Sequence, residues 1–313
     1  MKKKKTSPPG GLLTALRDLA WLDKPEARTL AAWSLLTSVP DDGELDVGLD
    51  YAIGHNLLPA DMAAPMRLQH VARVTHRAWR NPTDGLEMIW IPAGPARITR
   101  GKLRVELPGF SLARHPVTNA QYAAFVEATS YTPPADHPDP DDHLAHWRDG
   151  SFAPGEAQHP VVFVSYLDAL HYGLWAGLTL PGEWHWEKAA RGPDGSLYPW
   201  GDARPTPELA CLRAESTVPV GSYPRTRTAY GCEDMLGNVS DWVRPGSRDY
   251  DHFPLDRPSL DIVPGDKAEA AVRGGAFMRN INKQTVLEHR RNLSAFRRNR
   301  WVGFRPALMP RVP

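Results

Sequence analysis

The chain has 313 residues, 42% of them hydrophobic, and a formal net charge of +1. That length suits one large domain, or one large and one small; no apolar run approaches the ~20 residues that span a membrane, and the two cysteines, Cys211 and Cys232, allow at most one disulfide and lack metal-site or redox spacing. The 31 prolines argue against long regular helices or wide sheets, and the 11 tryptophans give a loop-rich fold the stiff, bulky side chains from which to build a core.

In chain order, the four lysines at positions 2–5 are like the basic start of a signal peptide, but the apolar run that should follow, residues 11–22, is broken by Arg17 and Asp18. The expectation is a soluble, cytoplasmic protein with a solvated basic tail and two free, semi-buried thiols. Leu12, Leu16 and Leu19 fall on one helical face. Asp23, Pro25 and Glu26 read as a cap, a first-turn proline and a capping-box-like acid, followed by Leu30, Trp33 and Leu36 at helical spacing. A further helix is expected after Pro65, with Leu68, Val71, Thr75 and Ala78 on its stripe. His55, His70 and His76 are expected to be ordinary surface or packed histidines, because His70 and His76 point different ways around a helix. The turn cluster Asn81-Pro82-Thr83-Asp84-Gly85 is the expected boundary between a helical region, residues 1–85, and a second domain, residues 86–313.

Beyond it, Met88-Ile89-Trp90-Ile91 reads as a strand, and Val105-Glu106-Leu107 and Phe110-Ser111-Leu112 as strand pieces split by Pro108-Gly109. Thr118-Asn119-Ala120-Gln121 is a capping box opening a helix that packs Tyr122, Phe125 and Val126. Residues 132–160 form a loop rich in Pro and Asp, with Asp136, Asp139, Asp141 and Asp142. A helix is expected from Ser165 through Trp175, and another from Pro181 ending at Arg191-Gly192. The stretch from Arg273 to Arg305 holds eight Arg and one Lys against one acid, Glu288. Its formal charge is therefore near +8 in a chain of +1, so the rest sums to about −7. Such segregation implies either a surface that meets something anionic or polar, or internal pairing of these arginines with the acidic remainder.

Several segments recur in a recognisable order: Pro116-Val117-Thr118-Asn119-Ala120-Gln121-Tyr122, His159-Pro160-Val161, Leu180-Pro181-Gly182-Glu183-Trp184, Tyr198-Pro199-Trp200-Gly201-Asp202, Met235-Leu236-Gly237-Asn238-Val239-Ser240-Asp241-Trp242, Arg273-Gly274-Gly275 and Gly303-Phe304-Arg305. Residues 86–309 thereby resemble the formylglycine-generating enzyme, or sulfatase-modifying factor, family. The resemblance implies an α+β fold: an irregular, C-type-lectin-like domain with short strands and few helices, here preceded by a small helical region. Family enzymes oxidise a substrate cysteine to formylglycine with O₂, using two cysteines that hold copper, and thiolates suit Cu(I) because both are soft. Those positions are here about Arg279 and Gln284, and a serine expected after the Gly-Gly step is Ala276. Copper is therefore not expected, and the resemblance implies a pseudoenzyme. An iron-dependent branch that joins thiols to histidine derivatives needs a His-rich helical partner whose spacing the N-terminal helices lack.

The resemblance also implies a structural calcium site at the turn 234–241, with carboxylates from Asp234 and Asp241 and backbone carbonyls from Gly237 and Val239, oxygen donors that suit Ca²⁺; Asn238 is expected to tie the turn together. The family's other calcium site is not expected, because the loop after Asp202 is shortened and the Asn position reads Cys211. Relatives without the catalytic pair use the C-terminal segment as a ligand-binding face, among them variable proteins of diversity-generating retroelements, in which Asn codons are rewritten between the Gly-Gly step and Gly-Phe-Arg. Arg279, Asn280, Ile281, Asn282, Asn292, Ser294 and Asn299 are reachable from an Asn codon by changing adenines alone.

The expected function is a non-catalytic module that binds an unknown protein or a polar or anionic ligand. Its first group of ligand-binding residues is Arg279, Asn280, Asn282, Lys283, Gln284 and His289. A second comprises Arg290, Asn292, Arg297, Arg298, Asn299, Arg300 and Trp301, with Phe296 as a further apolar anchor and Phe277 and Phe304 in the core. Arginine suits this role through its five donors and stackable plane. The alternatives are a divergent metal-dependent oxidoreductase and a binder of nucleic acid or anions through the same basic segment.

Overall fold

The computed structural model describes residues 10–19, 25–39, 42–75, 78–98, 103–133, 142–244, 269–280, 287 and 290–309. Four helices come first: α1 (Gly10–Asp18), α2 (Pro25–Leu36), α3 (Asp42–Gly54) and α4 (Ala63–Thr75). Leu12, Leu16, Trp33 and Leu36 are buried as their spacing predicts, whereas Asp23 lies outside the described residues, as do His76 and Asp136, Asp139 and Asp141 of the Asp-rich loop. Helix α3 escapes the sequence reading because Gly43, Gly48 and Gly54 look like turn residues. It buries Leu45, Leu49 and Ala52, and Gly48 faces the Leu12 and Leu36 side chains so closely that a Cβ would come within 2.7 Å of both. Gly48 thus lets α3 lie directly on α1 and α2.

The stripe expected on α4 is corrected. Leu68 and Val71 are 37% and 52% exposed, and the inward residues are Met66, Gln69 and His70. The rotation follows from a polar contact: Ser111 Oγ donates to Gln69 Oε1 at 2.7 Å, and Trp79 Nε1 donates to the same hydroxyl at 3.1 Å. A buried amide with a partner is tolerated inside. Trp33 Nε1 also donates to the Gly109 carbonyl at 2.7 Å. The helical region therefore packs on the remainder of the chain, and one hydrophobic core runs from Leu12 and Trp33 through Trp79 and Tyr122 to Phe304.

The first sheet has the order β1-β2-β5-β10, with β1 (Trp79–Arg80), β2 (Glu87–Ile91), β5 (Phe110–Ala113) and β10 (Ala307–Leu308) all antiparallel to their neighbours. The 81–85 turn is the hairpin joining β1 to β2, closed by Asn81 N–H to Leu86 O at 2.8 Å, so the sheet already begins before that turn. A separate hairpin pairs β3 (Gly94–Ile98) with β4 (Leu103–Leu107). Helices α5 (Asn119–Thr129) and α6 (Tyr166–Trp175) both open with capping boxes, Thr118 with Gln121 and Ser165 with Asp168, and α7 (Glu183–Arg191) follows Pro181 and ends at Gly192. The second sheet has the order β8-β7-β6-β9, from β6 (Ser240–Val243), β7 (Glu269–Arg273), β8 (Arg291–Ser294) and β9 (Val302–Phe304), with only β6 and β9 parallel. Among the described residues no helix is long and apolar enough to cross a membrane.

Titratable groups inside this core fix its response to acid. Burial pushes His185 down to about 3, with the Arg244 and Lys188 charges adding to the effect. Burial likewise pushes His146 down to about 4. Below the ordinary histidine value of about 6.5 the unfolded chain takes up protons that the folded chain refuses, so stability falls as pH drops from about 6.5 towards 4. The expected result is a melting temperature that declines steadily over that interval and declines less in His185→Phe. A flat profile would contradict the buried neutral state of these imidazoles.

Candidate ligand-binding site

The site is built where β7 ends. After Arg273, Gly274 and Gly275 both take positive φ, and a Cβ on Gly274 would stand 3.1 Å from the Trp186 indole and 3.2 Å from the Met235 carbonyl. Only glycine fits that passage. The chain then forms a tight turn in which Arg279 N–H donates to Ala276 O at 2.9 Å. Three more backbone bonds strap it down: Phe277 N–H to Asn238 O, Ala214 N–H to Phe277 O and Arg213 N–H to Arg279 O. Across from this turn stand Arg291, at the start of β8, and Trp301, just before β9. The Arg291 guanidinium lies 5.4 Å from the Trp301 ring centroid, a cation–π contact. Between them opens a cleft of about 280 Å³ lined by Ala276, Met278, Arg279, Asn280, Arg291 and Trp301. Burial and the neighbouring Arg291 charge both lower the proton affinity of Arg279.

The structure divides the residues expected to bind ligand. Arg279, Asn280 and Trp301 meet in the cleft. Arg297 and Arg300 are exposed, Arg300 with its guanidinium 5.5 Å from the Phe277 ring centroid. Asn292 is exposed on β8 and donates to Glu269 at 3.1 Å. Arg290 turns aside to Glu183, Nε to Oε1 at 2.8 Å. Asn299 is half-buried, and its carbonyl accepts Phe163 N–H at 3.0 Å. Arg298 is a correction: its side chain is 0% exposed and donates from Nε to Asp168 Oδ2 at 2.8 Å, so it belongs to the core. Phe296, also expected as a surface anchor, is buried. Asn282, Lys283, Gln284 and His289 lie outside the described residues. Arg291, Met278 and Ala276 are cleft residues that sequence reasoning did not select. The short run of β8 gave too few alternations to show that Arg291, and not Arg290, faces the cleft.

Much of the basic segment is neutralised internally. Arg273 donates to Glu183 at 3.0 Å and also binds Glu187, Arg298 pairs with Asp168, and Arg305 pairs with Asp241 at 2.7 Å, all with side chains at most 6% exposed. Among the described residues, Arg291, Arg297 and Arg300 form no ion pair with a carboxylate; Arg291 lines the cleft, Arg300 lies over Phe277 of the adjoining turn, and Arg297 is exposed.

The donor set does not fit copper. The position expected to carry the first thiolate is Arg279, whose guanidinium stays protonated and cannot ligate. The two thiols of the chain are buried, and burial pushes both Cys211 and Cys232 up to about 11. Nor does the 234–241 turn fit calcium. Asp241 Oδ2 already accepts from Arg305 Nε at 2.7 Å and Trp186 Nε1 at 2.8 Å, and Asp234 Oδ2 from Gly221 N–H at 2.8 Å. Arg305, a permanent cation, also donates to the Glu233 and Asp234 carbonyls, so a dication here would meet a like charge. Gly237 lies against the Cys211 carbonyl, which a Cβ would approach to 2.6 Å, and the Val239 side chain is buried. Asn238 closes the turn through both amide atoms to Val218 N and O. Asp241 Oδ1 is buried without a hydrogen-bond partner, the one feature a cation would relieve. Removing metal with EDTA is expected to leave the melting temperature unchanged; a rise of several degrees on adding Ca²⁺ would restore the ion to this turn.

Comparison with known proteins agrees with this architecture. The model of the sulfatase-modifying factor enzyme 1-like domain matches residues 74–309. The formylglycine-generating enzyme of Mycobacterium tuberculosis is 31% identical over 236 residues, covering 55% of this chain and 78% of that enzyme. Hercynine oxygenase of Mycolicibacterium thermoresistibile is 34% identical over 175 residues, which cover 48% of this chain but only 38% of that protein. Among solved structures, Treponema denticola variable protein 1 superposes with a TM-score of 0.53 at 18% identity, covering 75% of this chain and 99% of that one, a likeness of fold alone. The fold is accordingly the α+β, C-type-lectin-like one, and the chain belongs to the sulfatase-modifying factor enzyme 1-like family.

Proposed function

We propose that this protein is a non-catalytic binding module that holds its ligand in the cleft between the 276–280 turn and the Arg291–Trp301 pair. The observation that carries the reading is the chemistry at Arg279: a protonated guanidinium stands where the family's oxidative chemistry needs a soft thiolate, and both thiols of the chain are buried and hard to ionise. Arg300, over Phe277 of the same turn, extends the recognition surface, and the exposed Arg297 is available to it. Nucleic acid is the weaker partner, because Arg273, Arg290, Arg298 and Arg305 are committed to carboxylates of the chain itself. The test is metal analysis of the purified protein together with oxygen uptake on thiol peptides. The expected result is no stoichiometric copper or iron and no uptake; bound metal with turnover would overturn the reading in favour of a divergent oxidoreductase.

Exposure of Asn292 and Ser294 on β8, together with Arg279 and Asn280 at the cleft, favours one finer version. These are four of the seven positions reachable by adenine replacement alone, and their exposure or place at the cleft supports that version. A reverse-transcriptase gene with a near-copy of this coding segment beside the gene would support diversification, and its absence would remove it.

A further inference from the structure

The proposed binding role leaves the ligand's chemistry open, and the cleft walls narrow it. Arg279 and Arg291 supply two guanidinium groups and Asn280 an amide, while no carboxylate is among the described residues that line it. Trp301 and Met278, the latter 43% exposed, supply apolar surface beside them. Arg291 Cζ lies over the indole, 5.4 Å from its centroid, a cation–π contact that keeps a guanidinium, with its several N–H donors, at the cleft wall. Each cation raises the cost of the other: burial is the larger cause of the lowered proton affinity of Arg279, and the Arg291 charge is the next. An anion placed between them would relieve that repulsion. The space, about 280 Å³, suits a single ring or side chain with its charged group.

We infer that the cleft takes an oxyanion, a carboxylate, sulfate or phosphate, carried directly on an aromatic or other flat apolar group. Arg291 and Arg279 grip the oxyanion, Asn280 adds a hydrogen bond, and Trp301 with Met278 covers the flat group. This rests on the binding role proposed above, and the test separates the two.

The probes are phenyl phosphate, benzoate and neutral benzyl alcohol, titrated while the Trp301 indole N–H resonance is followed, with Trp301→Phe to assign it. Saturable shifts are expected with both anions, and affinity for benzyl alcohol is expected to be weaker by about tenfold or more. Arg291→Gln and Arg279→Gln should each weaken the anions by about tenfold while leaving benzyl alcohol unaffected. Arg291 is exposed, so its variant should melt as the wild type does, and Arg279→Gln serves as the independent check. Equal binding of benzyl alcohol and the anions would overturn the oxyanion and leave the cleft a binding site. Absence of any saturable shift with the anionic probes would overturn the inference as well. The binding role itself falls only on bound copper or iron with oxygen uptake.

Discussion

Arg298→Ala is expected to cost about 3–5 kcal/mol of stability, the range found when one partner of a buried ion pair is removed. For a chain of 313 residues that lowers the melting temperature by roughly 5–8 °C. The cause is Asp168, whose side chain is 0% exposed. Burial works to raise the proton affinity of this carboxyl, but the two hydrogen bonds from Arg298, with the nearby His143 charge, hold it at about 2. In the wild type its contribution is present above the ordinary carboxylate value near 3.8 and is lost as pH falls from there towards 2. Without Arg298 the effect of burial is unopposed and the carboxyl must be raised instead. The sign of the Asp168 contribution then reverses: the buried histidines destabilise both proteins in acid, but Arg298→Ala should lose less stability than the wild type as pH falls. Asp168 also accepts Ser165 N–H at 2.7 Å as the third residue of the α6 capping box, and Tyr131 OH at 2.8 Å, so the damage reaches the start of that helix. Urea unfolding at two pH values measures all of this. The exposed neighbours Arg297→Ala and Arg300→Ala should stay within about 0.5 kcal/mol of wild type. If the Arg298 variant matched them, the ion pair would contribute nothing and the residue would return to the list of surface candidates.

The contrast among these three neighbours shows where sequence reading stops. Residues 297–301 read as one basic, solvent-facing block, because a loop has no period from which to tell inward from outward positions. The direction of Arg298 is decided by Asp168, which lies 130 positions away. Local chemistry was legible wherever it acts over a few residues: the Thr118 capping box, the helix starting at Ser165, the Gly192 stop and the Gly-Gly passage after β7 all stand where their residues say. Tertiary overrides were not. Gln69 faces inward because Ser111 and Trp79 await it, which rotates α4 and leaves Leu68 and Val71 outside. The β3 strand hides behind Pro92, Gly94 and Pro95, and is anchored by Lys188, whose ammonium donates to the Pro92 and Gly94 carbonyls at 2.6 and 3.0 Å. For the cleft, the change of chemistry at Arg279 was plain from order and spacing, but its opposite wall needed the pairing of β8 with β7 to bring Arg291 round to Trp301.

Arg305→Ala should be more damaging still, because Arg305 joins three parts of the chain at one point. Its fully buried guanidinium donates to Asp241 at 2.7 Å, to the Arg114 carbonyl beyond β5 at 3.0 Å, and to the Glu233 and Asp234 carbonyls at 2.9 and 2.8 Å. Removing it breaks a buried ion pair, at about 3–5 kcal/mol, and strands buried acceptors at about 1–3 kcal/mol each. Against a total stability of about 5–15 kcal/mol, the variant is expected not to accumulate as a folded protein at 37 °C. Arg305→Lys tests whether charge or shape matters. An ammonium keeps the charge beside Asp241 but has three donors on a compact head and cannot reproduce a planar fork reaching in several directions. It should fold, with a melting temperature well below wild type. A paired change, Asp241→Asn with Arg305→Met, should recover part of the loss if the isolated Asp241 charge is the main penalty, and none of it if the carbonyl contacts dominate. A wild-type melting temperature for Arg305→Lys would show that charge alone holds this junction. The expected drop would make the Gly-Phe-Arg end of the basic segment a structural clamp, one that fixes β6, β9 and the 233–234 turn while Arg279 and Arg291 line the cleft.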